Sequence, residues 1–97
     1  MKKLPTAGEI KRTCAPILRR SGVRKSELFG SFARGDAKRA SDVDLLVDFA
    51  PRTSLLDVVR LRDDLRDALG RKVDLVSYRA VSPRLKPYIM KDLFRIV

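Results

Sequence analysis

A chain of 97 residues has room for one compact domain, and its 22 Lys and Arg against 12 Asp and Glu give a formal charge of +10. That excess favours polyanions without naming one, and the absence of Trp, with only two Tyr, leaves no stacking platform for single-stranded nucleic acid. One Cys and no His exclude an intrachain disulfide, a structural zinc site and histidine-based hydrolase chemistry, and no apolar run approaches the ~20 residues of a membrane helix, so a cytoplasmic protein is expected.

Residues Thr6 to Arg20 read as a first helix. Ile10, Cys14, Ile17 and Leu18 recur at helical spacing, and Thr6 with Glu9 forms a capping-box pattern. Pro16 is predicted to kink this helix or divide it, and Ser21-Gly22 to end it. Val23 to Gly30 reads as a strand with Leu28 and Phe29 as its apolar part. It runs into Gly30-Ser31, where Ser31 to Arg34 forms one helical turn closed by Gly35-Asp36. A polar loop then leads to the best strand, Val43 to Phe49. Val43, Leu45, Val47 and Phe49 share one face there; Asp42, Asp44, Leu46 and Asp48 share the other.

After the turn at Ala50-Pro51-Arg52-Thr53, Ser54 and Asp57 signal the start of a helix that runs to Leu69 and stops at Gly70. Its apolar stripe is predicted as Leu55, Val58, Val59, Leu65 and Leu69. Lys72 to Ser77 reads as a third strand. Arg84 to Phe94 reads as a last helix burying Leu85, Tyr88, Ile89 and Leu93, with Arg95-Ile96-Val97 as a short edge strand. The order predicts an α/β (α+β) fold in one domain, 1–97: a small mixed sheet with helices packed on it.

Three features carry chemistry. Gly30 lets backbone approach a ligand closely, and the free N–H groups and Ser31 hydroxyl that follow suit a phosphate; Arg34, one turn on, reaches an anion as a planar fork. Asp42 and Asp44 lie two apart on a strand, so their Cα atoms are roughly 6.6 Å apart on one face. Two carboxylates so placed repel each other until a hard divalent ion such as Mg²⁺ or Mn²⁺ binds them and bridges phosphate oxygens. Asp74 interrupts the apolar run Val73-Asp-Leu-Val76. On a strand beside that of Asp44 it would complete a three-carboxylate cluster, holding a second metal or accepting the proton of an attacking hydroxyl. A P-loop is excluded although Gly30 and Gly35 have its spacing, because Asp36 and Ala37 stand where Lys and Ser or Thr are required.

Gly30-Ser31, ten intervening residues and Asp42-x-Asp44 match the signature of the DNA polymerase beta nucleotidyltransferase superfamily. The fuller strings Leu28-Phe-Gly-Ser-Phe-Ala-Arg-Gly35 and Ser41-Asp-Val-Asp-Leu-Leu-Val47 resemble the minimal nucleotidyltransferases of prokaryotes. By that resemblance Gly30 and Ser31 match the nucleotide-phosphate turn, Asp42 and Asp44 the metal ligands, and Asp74 the third carboxylate. The resemblance implies in-line attack on the α-phosphate of ATP or a similar nucleotide, with release of pyrophosphate. It also implies an antitoxin that adenylylates a tyrosine on a HEPN-type ribonuclease toxin, as a homodimer or as a complex with that toxin. Two alternatives stand beside it: an inactive binding module that neutralises its partner by occlusion, and a nucleic-acid-binding protein, which the scatter of basic residues over every predicted element disfavours.

Overall fold

The computed structural model describes residues 3–97. Thr6 caps the first helix, α1 (Ala7–Arg20): its side chain accepts from the Glu9 N–H, and the Glu9 carboxylate accepts from the Thr6 N–H. Ile10, Cys14, Ala15 and Leu18 are its buried face. The expected division at Pro16 does not occur, and α1 runs through it. Pro16 denies a partner to the carbonyl of Arg12, but both residues lie on the exposed face, where water is available to that oxygen.

Strand β1 (Lys25–Phe29), the turn α2 (Ser31–Arg34) and strand β2 (Val43–Asp48) follow. Helix α3 (Leu55–Leu69) begins at a Ser54–Asp57 capping box and ends at Gly70 in the left-handed conformation. Its buried face differs from the predicted stripe. Leu61 and Leu65 are the fully buried pair, flanked by half-buried Val58 and Leu69, whereas Leu55 at the first helical position is 80% exposed. The apolar face therefore starts one turn later than the run of leucines suggests.

Strand β3 (Val73–Ser77) leads into a 3-10 turn, Tyr78–Ala80. The long last helix is absent; helix α4 covers only Lys86–Ile89. Pro87 has no N–H for the carbonyl of Pro83, so the bonding is interrupted there, although the Lys86 N–H still donates to the Ser82 carbonyl at 3.0 Å. Leu85 and Tyr88, expected in the core, are 53% and 77% exposed. The chain then returns to the sheet as β4 (Phe94–Arg95), as the edge-strand reading anticipates, and the next residue, Ile96, is fully buried.

The four strands stand in the order β3-β2-β1-β4. β1 is antiparallel to both β2 and β4, while β3 lies parallel to β2. Side chains opposite each other in these ladders share a face. Leu28, Val43, Leu45, Val47 and Val73 turn to the side covered by α1 and α3 and form the core with Ile10, Cys14, Leu18, Leu61 and Leu65. Glu27, Phe29, Asp44, Leu46, Asp74 and Val76 turn to the other side, which carries no long helix.

Candidate active site

The site begins where β1 ends. Gly30 has φ 77 and ψ −155, a conformation that side chains other than hydrogen do not tolerate cheaply. A Cβ placed on it would lie 2.5 Å from the Asp44 Oδ2 atom. The aspartate thus occupies the space that a side chain at residue 30 would need, and the two positions constrain each other. Ser31, half-buried, opens α2, and the first N–H groups of that turn have no intrahelical acceptor. Phe32 anchors the turn in the core, and Gly35 closes it in the left-handed conformation with its N–H donating to the Ser31 carbonyl at 3.0 Å.

The ladders bring the acids together. Asp44 is opposite Phe29 on one side and opposite Asp74 on the other. Neighbouring strands are about 4.8 Å apart, so the two carboxylates stand side by side on the open face. Asp42 precedes β2 by one residue and is half-buried. Burial, then the charge of Asp74, then that of Asp42, push the Asp44 carboxyl up to about 6, against a smaller opposing pull from Arg34.

Among the described residues no three acidic, histidine or cysteine side chains converge tightly enough to form a closed metal cage. Register aligns Asp44 with Asp74, while Asp74 extends to solvent and Asp42 leans toward Lys72, whose Nζ is 3.9 Å from its Oδ2. The donor set fits a hard divalent ion: all oxygen, anionic, and carrying a repulsion that such an ion would relieve. Arg34 is held by Asp36 at 3.2 Å in an exposed pair, so its fork points beside the carboxylates at little cost to redirect.

Several residues around the site gave no signal in the sequence. Phe29, Val76, Val81, Leu85 and Ile89 line an open groove of about 470 Å³ that also touches Asp44 and Asp74. Tyr78, in the 3-10 turn that follows β3, donates its hydroxyl to Glu27 Oε1 at 2.8 Å, with Lys25 Nζ 5.1 Å from the ring centroid and 3.4 Å from Glu27. Glu27 shares strand parity with Phe29, so its direction was readable; its partner fifty-one residues on was not. Arg71 is the other omission. Its guanidinium donates to the carbonyls of Arg39 and Ser41 at 3.2 and 3.1 Å and lies 5.1 Å from the Phe32 ring, tying the loop before Asp42 to the start of β3.

Comparison with known proteins identifies the family and the fold. Residues 12–96 match the family model described as polymerase beta, nucleotidyltransferase. The protein adenylyltransferase MntA of Thermococcus cleftensis is 46% identical over 74 residues, which are 76% of this chain and 75% of that protein. A solved structure assigned as a minimal nucleotidyltransferase superposes with a TM-score of 0.76 at 38% identity, covering 87% of this chain and 86% of that one. A crystal structure of a toxin–antitoxin with AMP-PNP superposes with a TM-score of 0.76 at 27% identity, over 90% of this chain and 72% of that one.

Proposed function

From the premise that the chain belongs to the polymerase beta nucleotidyltransferase family, we propose that it transfers AMP from ATP to a tyrosine hydroxyl of a cognate HEPN-type toxin and so acts as its antitoxin. In this reading residues 1–97 are one nucleotidyltransferase domain. The observation that carries it is the alignment of Asp44 with Asp74 across β2 and β3, beside a glycine whose missing side chain admits the Asp44 carboxylate. The named activity of the MntA relative and the AMP-PNP in the toxin–antitoxin neighbour support adenylyl transfer over other nucleotide chemistry.

The roles divide by position. Asp42 and Asp44 would hold Mg²⁺ or Mn²⁺, with Asp74 as third carboxylate, and an ion bound there would supply charge neutralisation for the triphosphate. The backbone at Gly30 and Ser31, with the Ser31 hydroxyl, holds phosphate oxygens at close range, and Arg34 leaves Asp36 to add a fork to them. The acceptor tyrosine oxygen forms a bond to the α-phosphorus as the bond to the pyrophosphate oxygen breaks. Asp74, the most exposed of the acids, takes the hydroxyl proton. The apolar groove offers a dry flank for the acceptor ring. Transfer of this kind needs positioning and charge neutralisation more than covalent help, which two acids on adjacent strands, a third just before one of them and one turn can supply.

The test is incubation with α-labelled ATP, Mg²⁺ and the purified toxin. Label is expected on a toxin tyrosine with the native protein and at background with Asp42→Asn or Asp44→Asn. No transfer by native protein that binds Mg²⁺, or normal transfer by both variants, would overturn the reading. If both variants still protected cells from the toxin, occlusion alone would be the mechanism.

A further inference from the structure

Three arginines from separate parts of the chain meet at the end of the sheet away from the acids. Arg24 precedes β1, Arg52 lies in the turn after β2, and Arg79 lies in the 3-10 turn after β3; all line one pocket of about 330 Å³. Asp48 is the only carboxylate in that lining and stands 3.4 Å from Arg24. Arg52 and Arg79 form no ion pair among the described residues. The pocket is distinct from the acidic site, because Asp48 is four residues along β2 from Asp44, roughly 13 Å at the strand rise.

The backbone adds an independent observation. The Ala50 carbonyl accepts from the Thr53 N–H at 3.3 Å and also from the Thr53 hydroxyl, closing a turn with Pro51 second and Arg52 third. Arg52 has φ 67, the one positive value outside glycine among the described residues. A turn with proline second and positive φ third ordinarily takes glycine or asparagine there. An arginine is held instead in a strained conformation, on a turn closed by two bonds to one carbonyl, and its side chain faces the pocket. Strain of this kind persists where surrounding structure over-determines it, and it clusters at ligand clamps.

We propose that this pocket is a second anion site that binds a phosphate group, separate from the nucleotide held by the acids. Three planar forks facing a single carboxylate suit a dianionic, tetrahedral group that accepts several bidentate bonds at once. A lone carboxylate would compete poorly there with Asp48. The phosphate belongs either to a small phosphorylated compound or to a nucleic-acid backbone.

The probe is inorganic phosphate, titrated without metal at fixed ionic strength while the Nε–Hε resonances of arginine are followed by NMR. Saturable shifts confined to Arg24, Arg52 and Arg79 are expected. Arg52→Gly and Arg79→Ala should each weaken binding at least fivefold, and Arg12→Ala, on the exposed face of α1, should leave it unchanged. Glycine suits the turn at residue 52, so Arg52→Gly should melt no lower than the native protein, and lost binding cannot then be ascribed to unfolding. A short single-stranded oligonucleotide binding tenfold tighter than phosphate, with the same dependence on Arg52 and Arg79, identifies a nucleic-acid source; equal or weaker binding identifies a small phosphorylated compound. Unsaturable shifts spread over all arginines, undiminished binding in both variants, or displacement of phosphate by a glutamate-rich peptide of equal charge at lower concentration would each overturn the proposal.

Discussion

Asp44 is expected to weaken the fold that it equips for chemistry. Its carboxyl is raised from 3.8 to about 6, first by burial and then by Asp74 and Asp42. Because the folded value lies above the unfolded one, the protonated group is compatible with the fold below about pH 4, and that advantage is lost as pH rises through about 6. A shift of two units corresponds to ~3 kcal/mol. Asp44 is only half-buried, so solvent screening reduces this to about 1–2 kcal/mol. Asp44→Asn removes the charge and keeps the volume. In urea unfolding with chelator at pH 7, the variant should therefore be more stable than the native protein by about 1–2 kcal/mol, and the gap should close at pH 4. Adding Mg²⁺ should raise the stability of the native protein and leave the variant where it was, while adenylyl transfer by the variant falls to background. A variant less stable than native at pH 7, or a gap of equal size at pH 4 and pH 7, would refute the electrostatic reasoning.

Gly30→Ala should cost about 2 kcal/mol from the backbone conformation alone and displace Asp44, so that both the melting temperature and transfer fall together. Asp74→Asn should abolish transfer and, by relieving part of the repulsion on Asp44, leave the unfolding midpoint at pH 7 no lower than native; a variant that kept activity would remove Asp74 from the site. Tyr78→Phe leaves the mostly buried Glu27 with Lys25 alone, at a cost of about 1–2 kcal/mol. Urea unfolding checks that cost, and an unchanged midpoint would remove the Tyr78–Glu27 bond from the stability of the fold. Pro16→Ala restores a donor for the Arg12 carbonyl inside α1 and should stabilise the protein by about 1–3 kcal/mol, measured by thermal unfolding.

Local signals in the sequence were reliable where the physics is local. Both capping boxes, the left-handed glycine stops and the alternation along β2 are set by neighbours within four residues, and each forms as read. The parts of the motif are local as well: Gly30, Ser31 and Arg34 fall within one turn, Asp44 lies on β2, and Asp42 stands one residue before that strand. The adjacency of Asp74 to Asp44 was an assumption about strand order, and the parallel ladder of β2 and β3 makes them neighbours. The C-terminal helix reads as longer than it is because the apolar spacing of Leu85, Tyr88, Ile89 and Leu93 resembles a buried stripe; Pro87 removes one bond near its start, and nothing in that spacing marks its end at Met90. Leu55 is exposed because spacing shows which residues share a face but not where along a helix its cover begins, whereas Leu61, three residues after Val58 and four before Leu65, fits the stripe and is missing from the reading of it. Tyr78 and Arg71 act through partners more than thirty residues away, and periodicity carries no trace of them.

Arg71 sets a condition on portability. Its two bonds to the carbonyls of Arg39 and Ser41 splint the segment that delivers Asp42, and the splint is driven from the far end of α3. Both bonds come from one nitrogen of the guanidinium, so a lysine there would keep the donors but lose the planar group that lies over the Phe32 ring and holds that nitrogen in place. Grafting the glycine–serine turn and its paired aspartates onto another sheet would carry over the ligands without the brace. The reach of the first aspartate toward the second is thus a property of how the whole chain closes on itself.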